Sequence, residues 1–201
     1  MKNKITSLVI IIGSLYYFIA EFISANLFKD SLLNTYTFHT ISELGIPGLN
    51  SPLSWLINSA FIIICLTLIF TNFYKFKDYI IKNKIIFYIL TLITSLGVII
   101  VALIHGGNPL TANYHSLGAM MAILGGNILL ITISKSLDEF NIYAKISLIL
   151  GIIGLIAFWI MFFNLDSIYM PIFEKLSVYT MIIWSFLTGI YIMKKSKFQK
   201  Y

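Results

Sequence analysis

The stretch Ile85-Ile86-Phe87-Tyr88-Ile89-Leu90-Thr91-Leu92-Ile93-Thr94-Ser95-Leu96-Gly97-Val98-Ile99-Ile100-Val101-Ala102-Leu103-Ile104 runs for twenty residues without a charge. Wound as a helix at ~1.5 Å per residue it is about 30 Å long, the thickness of a bilayer's hydrocarbon core. Lys82 and Lys84 precede it, and His105-Gly106-Gly107-Asn108-Pro109 follows. A charged flank, an apolar rod and a turn read together as one membrane span.

Five more stretches read the same way. They run approximately over Ile5–Phe28, Trp55–Phe73, His115–Ser134, Ile146–Phe163 and Leu176–Met193. The whole chain of 201 residues is 59% hydrophobic and only 11% charged, with a mean hydropathy of +0.91. Soluble domains average about 25% charged residues, so one aqueous core of this size does not hide this much apolar surface. The expected fold is all-α: a single domain, residues 1–201, built as a polytopic bundle of six transmembrane helices. Met1-Lys2-Asn3-Lys4 before an apolar run also fits a signal peptide. The run exceeds the usual apolar region of about 7–15 residues, and Ser24-Ala25-Asn26 is a weak cleavage site, so a retained first helix is expected.

All basic residues are lysines, and the net charge is +6. Lys2, Lys4, Lys75, Lys77, Lys82, Lys84, Lys135, Lys145, Lys194, Lys195, Lys197 and Lys200 fall on one side of the bundle; only Lys29 and Lys175 fall on the other. Positive loops stay in the cytoplasm, which places both termini inside and the protein in the cell membrane. The lysines sit in short runs between spans, so they orient the chain and do not form a nucleic-acid face. Membrane lipids are the expected partners; the sequence carries no signal for oligomeric state. Cys65 is alone inside a span and reads as packing. The cytoplasmic segments Tyr74–Lys84 and Lys135–Lys145 read as short, plain, basic loops.

The residues able to do chemistry collect on the lysine-poor side. His39, His105 and His115 all map there, with Asp30, Glu43, Asp166 and Glu174. Glu21 lies within the first span, about 10 Å below its outer end. An ionisable group at such a position is costly unless it is paired or faces a cavity. Tyr17, Ala20, Ser24 and Ala25 share its stripe and turn it into the bundle; the alternative is a hydrogen-bonded carboxyl near the headgroups.

The longest outer loop holds Phe38-His39-Thr40-Ile41-Ser42-Glu43-Leu44-Gly45-Ile46-Pro47. On a helix His39 and Glu43 stand one turn apart, a spacing that suits a carboxylate-oriented imidazole, two ligands of one metal, or a solvated ion pair. His115 leads a seam of small residues, Gly118, Ala119, Ala122, Gly125 and Gly126, and so enters a tight helix interface, as a functional imidazole or as a cap. Glu174 opens the sixth span, where a carboxylate also complements the helix dipole. Ser147, Gly151 and Gly154 form a packing stripe, and Asn58, Ser59, Thr94 and Ser95 are placed to bond across helices.

Ile41-Ser42-Glu43-Leu44-Gly45, with Ser51-Pro52-Leu53 and Asn58, resembles the bacterial and archaeal membrane family of unknown function DUF998. His115-Ser116-Leu117-Gly118-Ala119 with Gly125-Gly126-Asn127 is similar to that family's fourth-span segment. Glu174-Lys175-Leu176-Ser177-Val178-Tyr179, then Trp184, is similar to its closing segment, with Lys175 where an arginine is the expected form. The resemblance implies about six helices and no defined reaction. More distantly the chain is loosely similar to a group of membrane proteins, some of them associated with lipid remodelling or autophagy.

Two readings of function follow. In one, the outer polar cluster belongs to a module that binds a lipid, an ion or a partner protein. In the other, the protein is an intramembrane hydrolase or transferase acting on a lipid or lipid-linked substrate at the outer leaflet. Its candidate catalytic residues are His39, Glu43, His115 and Glu174, with Glu21 and His105 as second candidates; a divalent metal, if bound, would take His39, His115 and Glu174. A transporter ranks third, because the cytoplasmic half of the spans lacks matching charges.

Overall fold

In the computed structural model, residues 2–48, 50–137 and 141–198 are described; Lys200 of the basic set lies outside them. Six long helices carry the fold: α1 (Lys2–Asn26), α4 (Ser54–Phe70), α5 (Lys84–Leu103), α6 (Ala112–Ser136), α7 (Ile142–Phe162) and α8 (Met170–Phe198). Each contains a segment long and apolar enough to cross a membrane. Two short helices, α2 (Leu32–Phe38) and α3 (Ile41–Leu44), fill the connection between α1 and α4. Many large apolar side chains face outward, among them Ile12 at 62% and Ile85 at 76% exposure. Such a surface requires lipid as its solvent.

Consecutive long helices pack as neighbours, and α8 returns to α1 to close a ring; α6 also meets α8 across it, leaving α7 in the groove outside that pair. The small residues make these approaches. A methyl group on Gly97 of α5 would lie 2.6 Å from the Gly118 carbonyl of α6 and would strike the Ala122 backbone nitrogen. Gly154 of α7 is bare because Asn127 of α6 fills its place. Asn127, fully buried, donates to the Ser177 carbonyl at 3.1 Å and accepts from Thr180 at 2.8 Å. Trp184 donates its indole N–H to Ser147 at 3.0 Å, which ties α8 to α7. Asn58 and Ser59 do bond outside their own helix, to Gly45 and Tyr16. Thr94 and Ser95 do not: their hydroxyls have no partner among the described residues.

The lysine-rich end is more structured than a plain loop. The helix of α4 runs on through a π turn, Thr71–Lys75, and a 3-10 turn, Phe76–Asp78. These turns insert Phe76, fully buried, among Tyr143, Trp184 and Tyr191, with ring centroids 5.9, 6.1 and 6.5 Å away. The N–H of Ile81 then bonds the Ser136 carbonyl at 2.8 Å. The apolar face of Phe76 was masked in the sequence by the lysines on either side of it.

Candidate functional site

At the lysine-poor end, α3 lies across the mouth of the bundle. A single four-residue turn has no independent stability, so its neighbours must hold it. Thr40 caps it, accepting the Glu43 N–H at 3.0 Å, while the Glu43 carboxylate reaches back to the Thr40 N–H at 3.4 Å. This is a capping box. From α8, Glu174 accepts the Ile41 N–H at 2.9 Å and the Ser42 hydroxyl at 3.3 Å. The Lys175 ammonium donates to the His39 carbonyl. From the other side, Asn58 donates to the Gly45 carbonyl at 2.8 Å and Ser51 to that of Leu44 at 2.5 Å.

His39 and Glu43 meet, but not on one helix face. His39 ends α2 in an extended conformation (φ −113°, ψ 140°), Thr40 is also extended, and α3 begins after it. The break folds the imidazole back, so that Nδ1 lies 2.6 Å from Glu43 Oε2 and Nε2 lies 3.4 Å from Asp30 Oδ2. Phe28 packs against the ring with centroids 4.8 Å apart. The Asn34 side-chain amide, the Ser31 N–H and His39 hold the Asp30 carboxyl below its usual value. On α2, burial and then the nearby Glu21 charge push the Tyr36 phenol up to about 12.

Glu21 is fully buried and accepts the Tyr179 hydroxyl at 2.5 Å, which pairs α1 with α8. Glu174 and Lys175 are buried beside it. Glu174 stands four residues inside α8, where its carboxylate serves α3 and not the helix's own first turn. His115 is placed elsewhere. Its Nδ1 lies 2.6 Å from the Ile104 carbonyl at the end of α5, and its Nε2 is buried without a partner among the described residues. A carbonyl only accepts, so Nδ1 carries the proton. His105 sits half-buried in the turn beside it. His39, His115 and Glu174 therefore do not form one ligand set: among the described residues, no group of three His, Cys, Asp or Glu is spaced to hold a metal ion.

A narrow cavity of about 40 Å³ lies beneath α3, inside the ring. Its rim carries Ile41, Ser42 and Glu174, and its apolar walls include Phe61, Ala122 and Val178. Tyr17 of α1 lines it too, fully buried, and its hydroxyl has no partner among the described residues. A second cavity of about 20 Å³ continues toward the lysine-rich end, lined by Leu68, Leu129 and Trp184. The two share Ile64, Val98 and Met181 as lining residues. A third, open recess of about 280 Å³ lies over the loop, between Phe28, Glu43, Ile46 and Asn50.

Tyr17 entered the sequence reading only as a stripe neighbour of Glu21. The available signal was its depth: it stands nine residues, ~13 Å, before the end of α1, far below an interfacial tyrosine belt. Ser42 and Lys175 had no signal of this kind, because their partners are more than a hundred residues away in sequence.

No curated protein and no solved structure matches the chain. A family model described as a protein of unknown function (DUF998) matches residues 11–191, nearly the whole chain and all three of the segments that carried the resemblance.

Proposed function

This chain belongs to the DUF998 family, and we propose that it is a multi-pass module of the cell membrane that binds an amphiphile at its extracytoplasmic end. The observation that carries this reading is the cavity under α3, with apolar walls and with Ser42 and Glu174 among its lining residues. An empty apolar cavity costs packing energy, and an unpaired buried hydroxyl costs more. The apolar end of such a molecule, entering the cavity while the rest lies in the surrounding lipid, removes the first of these costs.

The lysine-rich end supports binding over transport. Phe76 and its aromatic neighbours seal that end, and the acids that line or adjoin the cavity lie in its opposite half. The enzymatic alternative draws on His39, half-buried and held by Glu43 at 2.6 Å. Both of its ring nitrogens face carboxylates, an arrangement better suited to tying α2 to α3 than to moving a substrate proton.

The test is native mass spectrometry of the protein released gently from nanodiscs. The wild type is expected to retain a bound amphiphile, and Ala122→Phe, which fills the cavity, to lose it while keeping its helical circular dichroism. Equal retention by both would move the site elsewhere. If His39→Ala instead changes the lipid profile of the host membrane, the enzymatic reading takes its place.

A further inference from the structure

We infer that the lysine-rich end of the seam between α1 and α8 binds an anionic glycerophospholipid, its headgroup phosphate held between the lysines that begin α1 and those that end α8. The site lies at the opposite end of the bundle from the cavity under α3 and does not rest on the binding reading above.

The seam joins the two ends of the sequence. α1 runs away from the lysine-rich end and α8 returns to it, so the two helices pack antiparallel. At Gly189 a methyl group would lie 3.0 Å from the Ser7 carbonyl and would strike the Ile11 side chain. Gly189 is therefore level with the middle of the turn from Ser7 to Ile11. From there Lys4 is five residues back along α1 and Lys194 five residues on along α8, ~7.5 Å in each case. Both steps lead toward the same end, so the two lysines stand at about the same depth. Both are exposed, and neither is in an ion pair among the described residues. Lys2 lies in the first turn of α1, and Lys195 and Lys197 lie in the last turn of α8, so the two runs continue side by side.

Several other lysines at this end have acids beside them. Lys75 and Lys77 precede Asp78, and Lys135, brought next to Lys82 through the Ser136 carbonyl, precedes Asp138 and Glu139. The acids of α1 and α8 are Glu21 and Glu174, which lie toward the far end and bond there to Tyr179 and Ile41. The seam therefore keeps an uncompensated positive charge at headgroup depth. A phosphodiester offers two non-bridging oxygens, one for an ammonium from each helix. Each lysine close to an anionic lipid surface is worth a factor of about five in binding. Phosphatidylcholine also brings a trimethylammonium, which the remaining lysines repel, so the seam selects on net charge. Below the lysines, Ile5, Leu8 and Ile12 are exposed along one face of α1. An acyl chain lying on that face favours a lipid over a free phosphate.

The test is lipid analysis of the full-length protein released gently from nanodiscs of equimolar phosphatidylglycerol and phosphatidylcholine, with helical circular dichroism matched across variants. The wild type is expected to retain phosphatidylglycerol over phosphatidylcholine by about tenfold or more. Lys4→Gln/Lys194→Gln should remove most of that preference. Lys4→Arg/Lys194→Arg should keep it, because a positive charge on each helix suffices. Lys77→Gln/Lys135→Gln takes the same charge from the same end and should leave the preference intact. Equal loss in the two glutamine pairs, or no preference in the wild type, overturns the seam as a site and leaves only the general attraction of a basic surface. Full displacement of the lipid by glycerol 3-phosphate would show that the headgroup alone is recognised and would overturn a lipid as the ligand. The cavity under α3 is tested separately by Ala122→Phe, so either proposal can fail without the other.

Discussion

The carboxylate of Glu174 accepts the backbone N–H of Ile41 at 2.9 Å, across 133 residues of sequence. Through this bond the last helix of the bundle holds the short helix α3 over the cavity. Its loss leaves a buried donor without a partner, which costs about 1–3 kcal/mol. Glu174→Ala is therefore expected to speed hydrogen exchange of the Ile41, Ser42 and Leu44 amides by about tenfold or more, since ~1.4 kcal/mol is a factor of ten. Amides inside α5 should be unaffected. Unchanged exchange at Ile41 would show that Asn58 and Ser51 suffice to hold α3.

Asn127 bonds α8 through both Ser177 and Thr180. Interhelical side-chain bonds within membranes are worth about 0.6–2 kcal/mol. Asn127→Ala should lower stability by about that amount in a reversible unfolding assay in mixed micelles. Thr180→Val should cost part of the same sum and add little in the double variant.

Gly97 is buried and Gly107 is exposed, and they should respond differently to a methyl group. At Gly97 the obstacle is backbone, the Ala122 nitrogen and the Gly118 carbonyl. Gly97→Ala should cost about 1–3 kcal/mol by overpacking. At Gly107 the nearest atom is the Ile46 side chain at 2.9 Å, which can rotate away. Gly107→Ala should cost less than about 1 kcal/mol. Equal melting temperatures would argue against the α5–α6 approach described above.

The Asp30 carboxyl is held low by the Asn34 amide, then by the Ser31 N–H and His39. A depressed acid contributes stability in full above its unfolded value, about 3.9, and loses it as the pH falls through the lower folded value. The start of α2 should therefore stay ordered down to about pH 4 and loosen below it. Nuclear magnetic resonance shifts of Ser31 and Asn34 followed against pH should report this transition, and Asp30→Asn should remove it.

The lysine distribution predicts that both termini are cytoplasmic. In a Cys65→Ala background, Asp166→Cys is expected to react with a membrane-impermeant maleimide on intact cells. Lys82→Cys should react only after lysis; both positions are exposed. The reverse pattern would invert the bundle and put the α3 end in the cytoplasm.

Much of the site's context was legible in the sequence, but its connections were not. The glycines of the α5–α6 and α6–α7 seams stood out because helices pack closely only where side chains are small. Glu21 stood out because an acid within an apolar stretch needs a partner, and Glu174 because it opens the sixth span on the lysine-poor side. The partners themselves, Tyr179 and the backbone of Ile41, were hidden, because ring closure between the first and last helices leaves no mark at short range. The His39–Glu43 spacing promised a helix face, whereas the contact forms across two extended residues; a four-residue interval brings side chains together in more than one backbone conformation.

The sequence by itself determined the solvent, the number of spans and the basic end. Those depend on summed transfer free energies of local segments, and such sums need no knowledge of contacts. Only the tertiary structure decided that α3 bridges the mouth, that Phe76 plugs the far end, and that Tyr17 and Glu174 line one space while His115 stands apart. Inside a bilayer apolar side chains gain little by choosing one helix neighbour over another. Which faces meet is set by shape and by a few hydrogen bonds between residues far apart in the chain.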